Sequence, residues 1–406
     1  MFKTVAHMAY QNAFLRKSRA LLLVLMIGLS MAVMVGLEGL YDGMSQHMIE
    51  KTKRSDCGDI SLFAPRYRTE NSIVYHISNA GKKVALLQGM KGVRDAIWRI
   101  ESEGLAQTAR KSRPARVVGI DVADEEKFGR YSDFLQKGSL EFGKDGAFIG
   151  NVLADKLKLL LGSKVIFSMQ DSSGQLQSVA LRIKAIIHTT NIMLDDRAIY
   201  ISRQKLNKLL SLPPKSATQI AVLAGDTEVK TLQQHIKKAF PKLDAKRFAA
   251  LYPQLKQTQQ LLDVFNEISF AIVMTVVFIG ILGVMYVSVL DRIREFGILL
   301  GIGYAYRYIR LQVFLEALFL ALAGFVLGSV LGLLFLVYLK YHGLDLSVFS
   351  SGMSMFGLDS TIHAVIKPGY FVSTFIAIVT ASLLSIFLPL RKIKRLDPIE
   401  VIRSIG

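Results

Sequence analysis

The sequence of 406 residues has a single cysteine and lacks the motifs of the common nucleotide-binding and hydrolytic enzymes. With only Cys57 present, no disulfide can form within the chain. The seven histidines are scattered, and no two of them have the spacing of metal ligands. A P-loop, a nucleophile elbow and an HExxH motif are also missing. We therefore expect no catalytic residues, no metal and no cofactor in this chain.

Charge is missing from four long stretches of a chain that is 51% hydrophobic. Residues 20–37, 268–290, 317–339 and 369–390 contain no Asp, Glu, Lys or Arg. About 20 consecutive apolar residues cross the roughly 30 Å of a bilayer's hydrocarbon core. The sequence therefore predicts a membrane protein with four transmembrane helices.

Positive charge is concentrated next to these four runs, in a chain whose net charge is +18. The clusters are Arg16, Lys17 and Arg19 before the first run, Arg292 and Arg294 after the second, Arg307 and Arg310 before the third, and Arg391, Lys392, Lys394 and Arg395 after the fourth. All four clusters fall on the cytoplasmic side if both termini are cytoplasmic, as the positive-inside rule requires. This arrangement predicts a multi-pass protein in contact with membrane lipids, and it explains much of the basic charge without nucleic acid. The remaining basic residues are dispersed between the first and second runs, which indicates a solvated basic surface or attraction to anionic lipid headgroups.

The long polar segment between the first and second runs has the patterns of a folded α+β domain. Runs of β-branched and aromatic residues at 58–63, 163–170, 177–187 and 197–202 predict strands. Apolar residues at helical spacing predict helices at 151–161 and 226–240, and a further helix that continues from Pro253 into the second run. The segment "SSGQLQ" at 172–177 predicts a turn. This domain is expected on the extracytoplasmic side.

These patterns divide the chain into nine predicted segments. They are a cytoplasmic amphipathic N-terminal helix (1–19), transmembrane helix 1 (20–40), an extracytoplasmic α+β domain with helical stalks (41–266), transmembrane helix 2 (267–290), a short cytoplasmic helix (291–310), transmembrane helix 3 (311–339), a short outer loop (340–368), transmembrane helix 4 (369–390) and a cytoplasmic tail (391–406).

The segment "DRIREFGILLGIG" at 291–303 is charged at its start and too apolar for a free loop. Its first residues predict one helical turn along the membrane surface, with Arg292 and Glu295 on the same face. Gly297, Gly301 and Gly303 permit a tight return to the membrane. Two interpretations remain open, a docking segment for another protein or a plain hairpin with snorkelling arginines.

Small and flexible residues mark two further features of the predicted spans. Gly324, Gly328 and Gly332 lie four residues apart on one helix face, which predicts close helix packing within the chain or against a second copy. Flexible apolar side chains in the first two spans predict an apolar cleft that is formed by two protomers and is open to the outer leaflet. The alternative is that these side chains face lipid or pack between helices. The candidate cleft residues are Met26, Met31, Met34, Met274, Phe278 and Met285.

Three segments, in this order, resemble motifs of one known family. They are "DGAFIGNVLADKLKLLLGSKV" (145–165), the stretch 291–332 that runs from "DRIREFGILLGIG" into the glycine-rich helix, and "LPLRKIKRLDPIEVIR" (388–403). With one span, a large outer domain and three further spans, they resemble the FtsX/MacB/LolC–LolE permeases of the mechanotransmission ABC transporters. The chain length and the "YDGMSQHM" start of the outer domain (41–48) are most similar to the LolC/LolE branch. The resemblance implies a MacB-like periplasmic domain and a place in the bacterial inner membrane.

The resemblance also implies the partners of the chain. It implies a dimer, with a second permease copy or a paralogue, that works with a separate cytoplasmic ABC ATPase to which ATP and Mg bind. The helix between spans two and three would dock on that ATPase. The docking residues implied in this way are Asp291, Arg292, Arg294, Glu295, Phe296, Gly297 and Gly301.

The function implied by the LolC/LolE resemblance is the extraction of lipoproteins from the inner membrane, for delivery by a periplasmic carrier to the outer membrane. One alternative is MacB-like efflux of peptides, toxins or drugs from the periplasm with an adaptor. Another is an FtsX-like regulator that activates cell-wall hydrolases and transports nothing. The large outer domain weighs against the regulator, whereas the sequence hardly separates the first two.

Overall fold

The computed structural model describes residues 2–15, 17–189, 191–346 and 361–394. The chain forms two compact units, one made of residues 1–45, 259–346 and 361–406 and the other of residues 46–258 and 347–360. Arg16, Arg395, most of the motif at 388–403 and part of the predicted loop at 340–368 lie outside the described residues.

Four helices of the described chain are long and apolar enough to cross a membrane. We name them span one (Lys17–Thr52), span two (Pro253–Asp291), span three (Tyr306–His342) and span four (Pro368–Ser385). Three shorter helices accompany them, an N-terminal helix (Phe2–Leu15), a linking helix (Ile293–Gly301) between spans two and three, and a C-terminal helix (Phe387–Lys394). Spans one and two have 36 and 39 residues, so each continues as a helix well beyond the length that a bilayer requires.

The core of the membrane unit is built from residues that recur every four positions along the spans and so share one helix face. The buried positions include Leu23, Ile27, Met31 and Val35 of span one, and Val277, Ile281, Met285 and Val289 of span two. Large apolar side chains also cover the outside of these helices, among them Leu22, Leu29, Val33, Ile272, Val276 and Ile279. Helices that are apolar on both faces are expected where the surroundings are lipid.

The N-terminal helix packs on span three. Val5 and Ala9 are buried against Leu315, and the Tyr10 ring meets the Phe319 ring edge to face at a centroid distance of 5.8 Å. Part of the apolar face of this helix therefore packs against span three and not against lipid.

The second unit is an α+β domain whose described strands form one mixed sheet. The strands are β1 (Ile60–Phe63), β2 (Val93–Gln107), β3 (Ser112–Ile120), β4 (Leu135–Gly138), β5 (Gly146–Gly150), β6 (Lys164–Gln170), β7 (Leu176–Ile187), β8 (Ala198–Ser202), β9 (Gln219–Ala224) and β10 (Asp244–Arg247). Their order is β10-β1-β9-β2-β3-β8-β5-β7-β4, and β6 pairs with both β2 and β7. The β3–β8 and β5–β7 pairs are parallel and the other pairs antiparallel.

Helices cover the sheet and complete the cores of this domain. They are Tyr67–Glu70, Ala80–Gln88, Val122–Gly129, Asn151–Leu157, Ile192–Asp195, Arg203–Leu209, Val229–Ala239 and Phe248–Leu251, with a π-helical turn at Lys53–Cys57 and a 3₁₀ turn at Tyr131–Phe134. The four strands and the helices at 151–161 and 226–240 that the sequence predicts are present, with shorter helix bounds. The other six strands, β2, β3, β4, β5, β9 and β10, are not predicted by the sequence.

The "SSGQLQ" segment forms the predicted turn, between β6 and β7. The Asp171 carboxylate accepts hydrogen bonds from the Ser173 hydroxyl at 2.7 Å and from the backbone N–H groups of Ser173 and Gln175 at 2.9 and 3.0 Å. The hydrogen bond from the Ser173 hydroxyl, with further ones from Gln177 and the backbone, lowers the pKa of Asp171 to about 2. Gly174 has a φ of +84°, which a glycine adopts without strain.

A buried ion pair links β2 to the helix Val122–Gly129. The Arg99 Nε and Nη2 atoms donate to the two carboxylate oxygens of Glu125, each at 2.6 Å, and both side chains are almost inaccessible to solvent. The remaining Nη1 atom donates to the backbone carbonyl of Asp56, whose carboxylate accepts from the Tyr252 hydroxyl. The buried Cys57 is the next residue in the chain. The start of the domain is thus tied to the centre of the sheet through one guanidinium.

We expect that the loss of Arg99 opens this domain. Arg99→Met leaves a buried, unpaired carboxylate on Glu125, which costs roughly 3–5 kcal/mol. Replacing both partners, with Arg99→Met and Glu125→Leu, removes both charges and costs less. Because Cys57 is the sole cysteine and is buried, the rate at which a thiol reagent labels the full-length chain measures opening around it.

The labelling rate of Arg99→Met should exceed that of the unchanged protein by at least about 100-fold, and the double variant should be slower than Arg99→Met. Arg66→Met is the matched control, because the Arg66 side chain is 67% exposed in its pair with Glu70, and such a surface pair contributes little. Equal labelling of the single and double variants contradicts the assignment.

Candidate functional site

The linking helix, Ile293–Gly301, is the element that the sequence singles out as a docking segment. The backbone turns at Arg292 between span two and this helix, with φ −110° and ψ 13°. The helix ends at Ile302, and Gly303, with φ +86°, turns the chain toward span three. The helix is longer than the single turn that the sequence predicts, because Gly297 lies inside it and does not end it.

The two faces of the linking helix differ in exposure. Phe296 and Gly297 are buried against the bundle. Arg294, Ile298 and Ile302, spaced by four residues, share the outward face, where Ile298 and Ile302 are 54% and 76% exposed. One face of the helix is therefore anchored, and the other presents a charged group followed by two apolar side chains.

Arg292 belongs to the anchored side. Its guanidinium lies 3.2 Å from the Glu316 carboxylate of span three and 3.0 Å from the Glu295 carboxylate, and 5.2 Å from the centroid of the Phe296 ring. The side chains of Arg292 and Glu316 are only 15% and 6% exposed. A carboxylate in an apolar span needs such a partner, since an ion there is otherwise costly.

A second ion pair at the same end of the bundle joins Arg19, near the start of span one, to Asp291, the last residue of span two. A cavity of about 230 Å³ lies beside both pairs, with Ala20, Met285 and Leu320 among its walls. Of the predicted docking residues, Asp291 and Arg292 thus hold the bundle together, and Phe296 and Gly297 are buried in it. Arg294, Glu295 and Gly301 are exposed.

Comparisons with known proteins match both units. Residues 20–239 match the family model for the MacB-like periplasmic core domain, and residues 268–398 match that for the FtsX-like permease C-terminal region. The first match covers more than half of the chain. This chain belongs to the FtsX/MacB family of ABC transporter permeases.

The permease is similar over 99% of its length to two curated relatives, at 23% identity in each case. They are a probable export ATP-binding/permease protein of Pseudomonas fluorescens and macrolide export ATP-binding/permease protein MacB 2 of Aeromonas hydrophila. It is also 30% identical over 161 residues, or 39% of its length and 22% of the relative's, to macrolide export ATP-binding/permease protein MacB of Wolinella succinogenes. The chain spans 60% of the length of each of the first two relatives.

Among solved structures, the periplasmic region of MacB from Actinobacillus actinomycetemcomitans covers 48% of the permease and 92% of its own chain, at 14% identity and a TM-score of 0.34. So low a score adds nothing to the family models. The predicted fold class, four transmembrane helices with a MacB-like periplasmic domain between the first and the second, is confirmed by those models and by the helices of the structure. The narrower LolC/LolE branch stays a prediction.

The three glycines of span three face span one of the same permease chain. A Cβ atom on Gly324 would lie 2.7 Å from the Ile27 Cβ, and one on Gly328 would lie 2.8 Å from the Gly28 carbonyl oxygen. A Cβ on Gly332 would lie at an ordinary 3.4 Å from the Ala32 Cα. Contacts this close bring two helix backbones together, as small residues do in membranes.

The six candidate cleft residues of the permease do not share one environment. Met31, Met34 and Met285 are fully buried within the chain, so these three do not face an open cleft or a second protomer. Met26 lies against Gly280 of span two, and Met274 and Phe278 are half-buried. For Met31, Met34 and Met285, the cleft hypothesis and the structure differ in how the helix is rotated, because composition does not reveal the rotation of a uniformly apolar helix.

Sequence reasoning also missed the Arg292–Glu316 pair. The one signal available was that Glu316 is the sole charged residue of the described sequence between Arg310 and Lys340. An isolated charge in a span predicts that a partner of opposite charge lies nearby. Which residue is the partner depends on the turn at Gly303, because this turn brings Arg292 back to span three.

We expect Gly324→Ala to destabilise the bundle, and Gly332→Ala to be tolerated. The added methyl group at Gly324 forces the two helices apart or Ile27 off its rotamer, at a cost of about 1–3 kcal/mol. The methyl group at Gly332 meets only ordinary van der Waals contacts, so its effect should be below about 0.5 kcal/mol. Thermal unfolding of the two variants in the same detergent measures the difference. Equal midpoints would show that these glycines do not set the distance between spans one and three.

Proposed function

We propose that this chain is the permease subunit of an ABC transporter of the bacterial inner membrane, which couples ATP hydrolysis in a separate cytoplasmic ATPase to work on the periplasmic side. The observation that carries the proposal is the linking helix, anchored on one face by Arg292 and exposed on the other. The names of the relatives, which combine ATP-binding and permease functions, support an ATPase partner.

The docking face comprises Arg294, Ile298 and Ile302. Exposed isoleucines next to a charge suit a protein partner, because apolar anchors and arginine supply much of the binding energy at interfaces. Force on the linking helix passes to span three through the Arg292–Glu316 ion pair, since this pair is largely shielded from water. The positive clusters support an orientation with both termini and the linking helix in the cytoplasm.

The docking proposal predicts that Arg294→Glu combined with Ile298→Asp weakens recruitment of the ATPase. If each side chain contributes about 1 kcal/mol, binding falls about 30-fold. The measurement is the affinity of the purified permease for its ABC ATPase. Lys340→Glu, a charge reversal at the opposite end of span three, is the control and should bind normally.

Arg292→Gln should give a different defect, a lower midpoint of thermal unfolding because Glu316 loses its partner. Normal binding of the ATPase by the Arg294/Ile298 double variant would refute the docking face. Because the ATPase is cytoplasmic, that result would also remove support for the proposed orientation.

For cargo, we propose lipid-anchored proteins extracted from the outer leaflet of the inner membrane. The exposed faces of spans one and two are apolar, with Val33 and Ile272 52% and 59% exposed. An acyl chain can lie along such a surface, and each buried methylene contributes about 0.8 kcal/mol. Extraction sideways from the bilayer needs no polar channel, in keeping with the scarcity of charge in the spans.

The second candidate is export of amphiphilic small molecules from the periplasm. The MacB proteins of Wolinella succinogenes and Aeromonas hydrophila are named for macrolide export, and the second aligns with 99% of this chain. The third candidate is a regulator of cell-wall hydrolases, and the match to the FtsX-like family model is the sole observation that supports it.

The cargo proposal predicts that photo-crosslinking residues at Val33 and Ile272 capture a triacylated lipoprotein in native membranes. A crosslinker at Met34, adjacent in sequence but fully buried, should capture none. Addition of ATP and the ATPase should reduce the lipoprotein adduct. Adducts of bulk phospholipid alone, unchanged by ATP, would exclude lipoprotein extraction and favour export or regulation.

A further inference from the structure

Span four ends in a kink that the sequence explains. Its helix stops at Ser385, and the C-terminal helix starts two residues later, at Phe387. Pro389 has no N–H to donate to the Ser385 carbonyl, so the helical ladder is interrupted there. The Leu390 carbonyl accepts a hydrogen bond from the Tyr306 hydroxyl at 2.8 Å. This contact ties the C-terminal helix to the start of span three.

The kink leaves a cleft of about 530 Å³ between span three, the end of span four and the C-terminal helix. Its wall is almost entirely apolar and is formed by Leu311 and Phe314 of span three, and by Leu383 and Phe387. Phe387 is 65% exposed although it lies in a segment that we assign to the membrane. The cleft is therefore open toward the bilayer.

Two arginines, Arg307 and Arg310, form the edge of this cleft in the first turns of span three. Three residues apart, they lie on one helix face. Both are exposed, and among the described residues neither has a carboxylate partner. Arg307 lies over the Tyr308 ring and donates to its hydroxyl at 3.2 Å. By contrast, Arg19 and Arg292 at the same end of the bundle are both ion-paired.

We propose that this cleft binds an anionic phospholipid, with an acyl chain along the apolar wall and the phosphate at Arg307 and Arg310. A phosphate group supplies the anionic oxygens that neither guanidinium finds among the described residues. Basic sites between helices at the membrane surface favour anionic headgroups, whereas a zwitterionic headgroup offers no net charge. A second permease copy is a poorer occupant. If the same face of a second copy covered the cleft, its arginines would meet Arg307 and Arg310, and the described residues of this face offer no carboxylate to compensate the charges.

The test uses the full-length permease, delipidated in detergent and titrated with phosphatidylglycerol or with phosphatidylcholine of the same acyl chains. Native mass spectrometry counts bound lipids. We expect phosphatidylglycerol to bind more tightly, and its affinity to fall about fivefold for each arginine removed in Arg307→Gln and Arg310→Gln. Phosphatidylcholine binding should not change in these variants. Lys340→Gln, which removes a positive charge from the other end of the same span, should keep the preference.

The apolar half of the site has its own variant. Leu383→Trp fills part of the cleft and should weaken both lipids, whereas glycerol phosphate should not displace phosphatidylglycerol, because it lacks the acyl chain. Variants are compared only where their thermal midpoints match that of the unchanged protein.

Two results overturn the proposal. One is equal affinity for the two lipids, which indicates nonspecific lipid around the bundle. The other is an arginine double variant that binds phosphatidylglycerol normally or changes only the self-association of the permease, which assigns the cleft to a second copy. Neither result bears on ATPase docking or on cargo, so this inference stands or falls separately from the proposed function.

Discussion

The ion pair between Arg292 and Glu316 determines how the linking helix is rotated. Because the guanidinium must face the carboxylate of span three, Phe296 and Gly297 turn inward with it. Arg294 and Ile298 are consequently left on the outside. Without the pair, Glu316 would be an uncompensated charge in an apolar helix.

The same pair depends on the close packing of spans one and three. Glu316 lies two turns before Gly324, the first of the glycines at which the backbones of these spans approach each other. Span one in turn brings Arg19 to Asp291, at the end of span two. The short linking helix is therefore positioned by three long helices at once.

Much of this architecture follows from the sequence, and the failures have physical causes. The spans were predictable because runs without charge are long and rarely have another explanation. The strand β2 was missed because its sequence contains Arg99, which is buried only through a carboxylate 26 residues away. The rotation of span one was not predictable, because Met31 and Val33 are equally apolar and only the contacts of the folded bundle distinguish them. The sequence placed Arg292 beside Glu295 on one face, as the structure has it, but did not reveal its contact with Glu316, because that carboxylate lies beyond a turn.

The pairing of β1 with β10 has a mechanical consequence. β1 follows span one in the chain, β10 precedes span two, and the two strands are antiparallel, with Ile60 opposite Arg247 and Phe63 opposite Asp244. Both ends that lead to the membrane thus lie at the same rung of the ladder. A pull that separates them loads this rung first and would unzip the strands one hydrogen bond at a time, each worth only about 1 kcal/mol. A pull in which both ends move together loads no rung, so this junction transmits a common displacement of the two helices and yields to their separation.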